Sequence, residues 1–118
     1  MEEVEPFLSR LLPDPDHAVF VAAGSDGTLA GWVHVFLSRR LFMPPFAELG
    51  GIVVDEARRG AGIGRALLTR GEEWAAQAGC SLLRIRSNTL RSAAHEFYEG
   101  VGYSPLKTQR VFDKALPG

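Results

Sequence analysis

Cysteine, clustered histidine, long apolar runs and charge of one sign are all scarce in this chain of 118 residues, and each scarcity removes a class of function. The single cysteine, Cys80, cannot close an internal disulfide, so a small disulfide-stapled fold is excluded. Its place after Gly79, entering an apolar stretch, suits a buried thiol better than a nucleophile. Three scattered histidines, His17, His34 and His95, give no metal-ligand spacing, and no metal is expected. With a formal net charge of -1 and no long run of like charges, the chain lacks the basic surface that nucleic acid or an anionic membrane would need. No stretch approaches membrane-spanning length, and the acidic start Met1-Glu2-Glu3 has neither the basic nor the apolar part of an export signal. The cytoplasm is the expected compartment.

What is present describes a soluble globular chain. At 46% hydrophobic and 23% charged residues, it suits a single domain over residues 1–118, large enough for one core and too short for two. Val4 to Leu12 carries Phe7, Leu8, Leu11 and Leu12 at helical spacing before Pro13-Asp14-Pro15, which predicts a short helix. Ala18 to Ala23 and Leu29 to Leu37 predict a β-hairpin around an Asp-Gly turn signal at Gly24 to Thr28. In its second strand Trp32, His34 and Phe36 alternate with Val33, Val35 and Leu37, so one face is mostly aromatic and the other aliphatic. Ser38 to Phe46, with Arg39-Arg40 and Pro44-Pro45, reads as a loop. A strand over Ala47 to Asp55 follows, its Gly50-Gly51 pair marking a bulge or a close backbone approach. Next come a helix from Gly62 to Ala78 ended by Gly79, a strand over Leu82 to Arg86 and a helix over Ser92 to Gly100. Tyr103 to Leu106, confined by Pro105, and Gln109 to Lys114 complete the predicted strands. Strand, helix, strand from Glu48 to Arg86 implies a right-handed parallel crossover in an otherwise antiparallel sheet, a mixed α/β fold.

Arg58 to Leu68 reads Arg-Arg-Gly-Ala-Gly-Ile-Gly-Arg-Ala-Leu-Leu, three glycines at alternate positions between an apolar strand and an amphipathic helix. A helix start has unpaired N–H groups and partial positive charge, and glycines let an anion reach that backbone, so a phosphate ester is expected there. Spacing separates the phosphate loops that use such a unit. A Walker loop needs Lys-Ser/Thr after its last glycine, where Arg65-Ala66 stands. A dinucleotide fingerprint needs G-x-G-x-x-G and a later acidic residue; here the third glycine comes one position early and the later stretch is Leu82-Leu83-Arg84. What remains, Arg59-x-x-Gly62-x-Gly64 after a Val-Val strand end, closely resembles the acyl-coenzyme A pyrophosphate loop of the GNAT superfamily of N-acyltransferases. Downstream, Arg91-x-x-Ala94-His95-x-Phe97-Tyr98-x-x-x-Gly102-Tyr103 resembles the last motif of the same superfamily. The resemblance covers about residues 46 to 104.

It implies a central mixed, mostly antiparallel sheet flanked by helices, and acetyl transfer from acetyl-CoA to a primary amine of a small molecule or peptide. The backbone of Arg59, Gly60, Ala61, Gly62, Ile63, Gly64 and Arg65 would hold the pyrophosphate. Main-chain groups of Ile52, Val53 and Val54 would pair with the pantetheine as if it were an added strand, the amide of Val53 or Val54 meeting the thioester oxygen, and Asn88 would bond the pantetheine arm. Tyr98 matches the tyrosine that protonates the leaving thiolate, and Glu48 the glutamate base of histone-type acetyltransferases. Glu48 reads equally well as a strand-start carboxylate paired with an arginine. Trp32 and His34 are candidate substrate contacts, His34 also a competing base; His17 is expected to be exposed, and Arg39 and Arg40 read as solvated surface charges, with attraction of a carboxylated acceptor as the alternative. Superfamily members usually open with a strand and one or two helices, so the one short helix expected before Ala18 implies a missing first strand. The sheet edge it leaves would be covered in a homodimer or by another chain. The short N-terminus also keeps a second function open, a non-catalytic acyl-CoA-binding module.

Overall fold

A computed structural model describes residues 5–9, 14–24, 27–41, 43–58, 60, 62–86, 92–107 and 110–117. The chain divides into two units, residues 1–86 and 87–118, each taken by itself. The first carries a five-stranded sheet whose strands lie side by side in chain order: β1 (Glu5–Ser9), β2 (His17–Ala23), β3 (Leu29–Arg40), β4 (Met43–Val54) and β5 (Leu83–Arg84). All neighbours are antiparallel except β4 and β5, which are parallel and joined by helix α1 (Ile63–Gln77).

The β2–β3 hairpin forms where its turn chemistry predicts. The Gly24 N–H donates to the Thr28 carbonyl at 2.8 Å, the Gly27 N–H donates to the Gly24 carbonyl at 2.9 Å, and Gly27 takes φ 83°, a turn conformation that glycine enters without steric cost. The register that follows sets Ala18, Phe20 and Ala22 on the buried face with Val33 and Val35. On the opposite face His17, Val19 and Val21 stand across from Phe36, His34 and Trp32, so the aliphatic and aromatic faces of β3 are as its alternation predicts.

Two expectations are corrected in this unit. The helix expected over Val4 to Leu12 is instead strand β1, with Phe7 opposite Val21 and Ser9 opposite Val19; Val4 and residues 10–13 lie outside the described residues. The free edge of β2 offers a ladder that outweighs helical spacing over so few residues, and Pro6 fits an edge strand. A strand therefore does precede the hairpin, and the edge that no described strand pairs belongs to β1 rather than β2. Likewise the loop expected over Ser38 to Phe46 is mostly strand, because β3 runs to Arg40 and β4 begins at Met43. Pro44 and Pro45 fall between the pairs Arg40 with Met43 and Ser38 with Phe46, where the register shifts and the ladder is interrupted.

Helix α1 packs on the aliphatic face through Ile63, Leu67, Leu68, Gly71 and Ala75, all buried. Gly71 sets how close it lies, since a Cβ there would come within 2.8 Å of Val35 Cγ2. The helix ends in a Schellman motif: the Gly79 N–H donates to the Ala76 carbonyl and the Cys80 N–H to the Ala75 carbonyl, both at 3.0 Å, with Gly79 at φ 91°. Cys80 then packs against the core, half-buried, and burial pushes its thiol pKa up, as expected of a structural cysteine.

In the second unit α2 (Ser92–Gly100) ends the same way, with the Gly102 N–H donating to the Glu99 carbonyl and the Tyr103 N–H to the Tyr98 carbonyl. The strands expected over Tyr103 to Leu106 and Gln109 to Lys114 are absent from the described residues, Gln109 lying outside them. A strand exists by its ladder, and here no described segment supplies one; Leu106, Val111, Phe112 and Leu116 are exposed.

Close strand approach yields a stability test. A Cβ on Gly31 would lie 2.5 Å from the Val53 carbonyl oxygen, a backbone atom held in the β3–β4 ladder. Gly31→Ala is expected to destabilise the fold by about 1–3 kcal/mol, read as a fall of several degrees in Tm. An unchanged melting temperature would contradict this packing.

Candidate active site

The site begins where the β4–β5 ladder ends. β4 is twelve residues long and β5 two, and their pairing is limited to Ala47 with Leu83 and Glu48 with Arg84. Beyond Glu48 no described strand pairs with that edge of β4. Which main-chain groups face the opening follows from strand periodicity. The Asp55 N–H donates to the Ala30 carbonyl at 2.7 Å, so Asp55 and, two residues earlier, Val53 turn their amide and carbonyl toward β3. Ile52 and Val54 therefore turn theirs toward the open edge. Of the two amides expected to meet a thioester oxygen, Val54's points into the opening and Val53's is committed to the ladder, with Ile52 taking the second open position. The side chains alternate the other way: Ile52 and Val54 pack on the core, and Val53 is half exposed.

Gly50 is the extra residue in this strand. His34 pairs with Gly51 and Val35 with Leu49, leaving Gly50 as the predicted bulge. A Cβ on Gly50 would collide with His34 Nδ1, and one on Gly51 would come within 3.1 Å of the Trp32 ring. Both glycines thus make room for the aromatic face of β3.

Past Asp55 and a single turn of 3-10 helix at Glu56–Arg58, the chain approaches the start of α1. Gly60 and Gly62 adopt φ 88° and 80°, left-handed conformations that a side chain would strain. A Cβ at either would touch nothing, so backbone shape rather than space calls for glycine. Gly62 caps the helix without a side-chain hydrogen bond, and no acidic residue lies in the first turn. The Ala66 N–H donates to the Gly62 carbonyl at 3.0 Å, which opens the intrahelical ladder. The amides of Ile63, Gly64 and Arg65 precede that bond and point out of the helix start, the arrangement that binds an anion. A shallow groove of about 370 Å³ continues from Gly62 and Arg65 along Ala66, Thr69, Arg70 and Glu73. Arg59, Ala61 and Asn88 lie outside the described residues.

Glu48 is paired: Arg86 donates to its Oε1 from Nη2 at 2.8 Å and from Nε at 3.1 Å, and the carboxylate side chain is 12% exposed. The arginine-paired alternative is therefore realised, with Arg86 as the partner that the sequence left unnamed. Nor does His34 stand alone. Its Nε2 lies 3.0 Å from His17 Nδ1, the His17 ring stacks on both His34 and Phe36 while His34 is tilted against Phe36, and His17 Nε2 is 3.9 Å from Asp14. His17, expected to be exposed, is half-buried in this cluster; its place opposite Phe36 is deducible from the hairpin register once the turn is assigned. Arg39 is not simply solvated either, because it donates to both oxygens of Asp16 at 2.8 and 2.9 Å, which lowers the pKa of Asp16 and raises that of Arg39. In the second unit Tyr98 is half-buried, edge-on to Phe97 and Tyr103. His95 is half-buried on the same helix. Among the described residues no group of His, Cys, Asp or Glu could hold a metal ion, and no helix is long and apolar enough to cross a membrane.

An interrupted parallel ladder and a glycine-rich helix start thus lie in one unit, and comparison with known proteins gives the family. The profile of the Acetyltransferase (GNAT) family matches residues 1–103, and the chain belongs to that family. Its relatives include an aminoglycoside N(6')-acetyltransferase type 1 of Stenotrophomonas maltophilia, 32% identical over 114 residues, spanning 93% of this chain and 73% of that protein. An aminoalkylphosphonate N-acetyltransferase of Salmonella typhimurium is 41% identical over 111 residues, 93% of this chain and 70% of the relative. Among solved structures, the acetyltransferase AAC(6')-Iy with a bisubstrate analogue of CoA superposes with TM-score 0.80 at 18% identity, covering 90% of this chain and 74% of that one.

The histidine pair generates a pH test. Burial first, and repulsion from His17 second, hold the His34 pKa below the ordinary imidazole value of 6.5. A depressed imidazole binds fewer protons folded than unfolded, so its contribution is complete above the unfolded value and is lost as pH falls from there through the folded value. Unfolding free energy is expected to drop as pH is lowered below about 6.5, with a shallower drop in His34→Gln. Equal slopes in denaturant titrations of the two proteins would contradict the assignment.

Proposed function

We propose that this chain is an acetyl-CoA-dependent N-acetyltransferase acting on a primary amine by direct attack in a ternary complex. The observation that carries the proposal is a pair of main-chain features in the same unit, the edge at Ile52 and Val54 that no described strand pairs and the helix start at Gly62 that has no side-chain cap. A pyrophosphate ester linked to an amide-bearing arm would satisfy both. When bound, acetyl-CoA supplies an acetyl group activated as a thioester. The relatives named for acetyl transfer to aminoglycosides and aminoalkylphosphonates support a small-molecule amine as acceptor.

In this reading the amides of Gly60 to Arg65 hold the diphosphate, and the amide of Ile52 or Val54 donates to the carbonyl oxygen as it gains charge, worth about 3 kcal/mol to the transition state. Glu48 receives the proton of the attacking amine through water. Its two bonds from Arg86 fall on one oxygen, and a carboxylate has further acceptor positions. Tyr98 donates its phenolic proton to the departing sulfur, so that a C–N bond replaces a C–S bond and the free thiol leaves. Trp32 and His34 line the acceptor side. We further propose that residues 1–118 act as one domain, supported by a family match that spans both units. A cytoplasmic homodimer is proposed as well, supported by the outer edge of β1, which pairs with no described strand.

Thiol release with acetyl-CoA against a panel of amines tests the proposal. Turnover is expected with at least one small amine; CoA binding without turnover on any would favour a non-catalytic acyl-CoA-binding module, and no calorimetric CoA binding by folded protein would defeat both. Tyr98→Phe is expected to lower kcat by about 100-fold or more while CoA affinity stays nearly unchanged. A comparable loss of affinity would remove Tyr98 from the acid role.

A further inference from the structure

His34 leans from β3 over β4. A Cβ on Gly50 would collide with its Nδ1, so this ring nitrogen sits where a Gly50 side chain would stand, at the bulge and roughly 7 Å along the strand from the open position of Ile52. Its other nitrogen, Nε2, lies 3.0 Å from His17 Nδ1, and His17 Nε2 is 3.9 Å from Asp14 Oδ2. Carboxylate, imidazole and imidazole thus follow one another from the chain before β2 to the bulge of β4. Among the described residues His34 Nδ1 has no hydrogen-bond partner.

One hydrogen bond between two neutral imidazoles fixes both tautomers together. With the shared proton on His17 Nδ1, His17 would turn a bare Nε2 toward a carboxylate that repels it, and His34 would carry its own proton on Nδ1. With the shared proton on His34 Nε2, His17 directs an Nε2–H at Asp14, and His34 Nδ1 is left bare over the bulge. The carboxylate charge selects the second arrangement, as a buried aspartate selects the tautomer of a catalytic histidine. Burial and repulsion from His17 hold the His34 pKa below the ordinary 6.5, so the ring is neutral and able to accept a proton at neutral pH. Of the other charged groups on the neighbouring elements, Glu48, opposite Phe36, is held by Arg86, and Asp16 by Arg39.

The proposed reaction has a task for such a nitrogen. A primary amine is an ammonium at neutral pH and must lose two protons to become an amide N–H, one before its lone pair can attack and one as the C–N bond forms. Resting on the acetyltransferase reading, we propose that His34 Nδ1 accepts the first of these protons and that His17 and Asp14 are positioning residues that keep this nitrogen bare. The ammonium N–H bond breaks, its electron pair stays on nitrogen as the nucleophile, and the proton bonds to Nδ1. The Asp14 charge offsets the imidazolium through His17 until the proton passes to water. Glu48 takes the second proton. One of the two replaces the proton that Tyr98 gives to sulfur, and the other is released.

Nitrogen NMR of the histidine rings in the full chain reads the tautomers directly. His17 and His34 are both expected as Nε2–H at neutral pH. Asp14→Asn, whose amide N–H can donate to His17 Nε2, is expected to move both toward Nδ1–H. His34 protonated on Nδ1 in the wild type, or unchanged tautomers in Asp14→Asn, overturns the proposal. In thiol-release assays with a small primary amine, His34→Gln is expected to lower kcat by about 100-fold or more. His17→Phe keeps the ring stack and removes the acceptor; it is expected to lower kcat about tenfold with KM for acetyl-CoA unchanged. His17→Gln, whose amide oxygen can accept the His34 proton, should recover most of that loss. An unchanged kcat in His17→Phe, or equal losses in the two His17 variants with their thermal melts preserved, also overturns the proposal. If no amine is turned over, the acetyltransferase reading fails separately, and the tautomers of the wild type and Asp14→Asn still decide whether Asp14 and His17 position His34.

Discussion

Everything the site asks of the main chain depends on where the β4–β5 ladder stops. Had β5 followed β4 to its end, Ile52 and Val54 would have their amides and carbonyls paired within the sheet and nothing could be added there. With pairing limited to Ala47 and Glu48, the same groups form an edge that no described strand completes. Such an edge is costly unless something completes it. The neighbouring start of α1 has the same deficit, since its first amides lack a side-chain cap. Two deficits side by side, one strand-like and one helix-like, suit a ligand with an amide arm and a diphosphate better than they suit either feature closed by the protein itself.

The parts of this arrangement that could be read from the sequence are those fixed by local chemistry. Gly24 to Thr28 specifies a hairpin, Gly79 ends a helix, and Gly60 and Gly62 mark a backbone that only glycine adopts without strain. Gly50-Gly51 announced the bulge, although not that its purpose is to clear space for His34 and Trp32. What escaped was set by partners distant in sequence. Val4 to Leu12 has helical apolar spacing, and within it Glu5–Ser9 becomes a strand because β2 presents a ladder to fill. His17 looked exposed from its proline-rich surroundings, and the β2–β3 register brings it against His34. The direction of the Val53 amide was undetermined for a related reason: alternation along a strand is visible in sequence, but its phase depends on the bond between Asp55 and Ala30.

The bulge also joins the open edge to the aromatic face. By inserting one residue between the Leu49 and Gly51 pairs it keeps Ile52 and Val54 directed at the opening, while its missing Cβ atoms admit the His34 and Trp32 rings alongside. The aromatic face is thereby held against the segment where an acetyl group would sit. It is also the face on which Phe46 and Glu48 stand, so one side of β4 carries in order a stacked ring with two cations, a carboxylate and the bulge.

Holding Arg86 is compatible with the proton transfer proposed for Glu48. The carboxylate is only 12% exposed, and two hydrogen bonds from a guanidinium to Oε1 fix its rotamer and offset the lost hydration. The pairing also suits the proposed role, because a base must be aimed. Arg86 lies beyond the last residue of β5 and still reaches β4, so the ion pair spans the two strands just where their backbone ladder has ended. The side chains thus hold β4 and β5 together at the mouth of the opening, while their main chains remain apart above it.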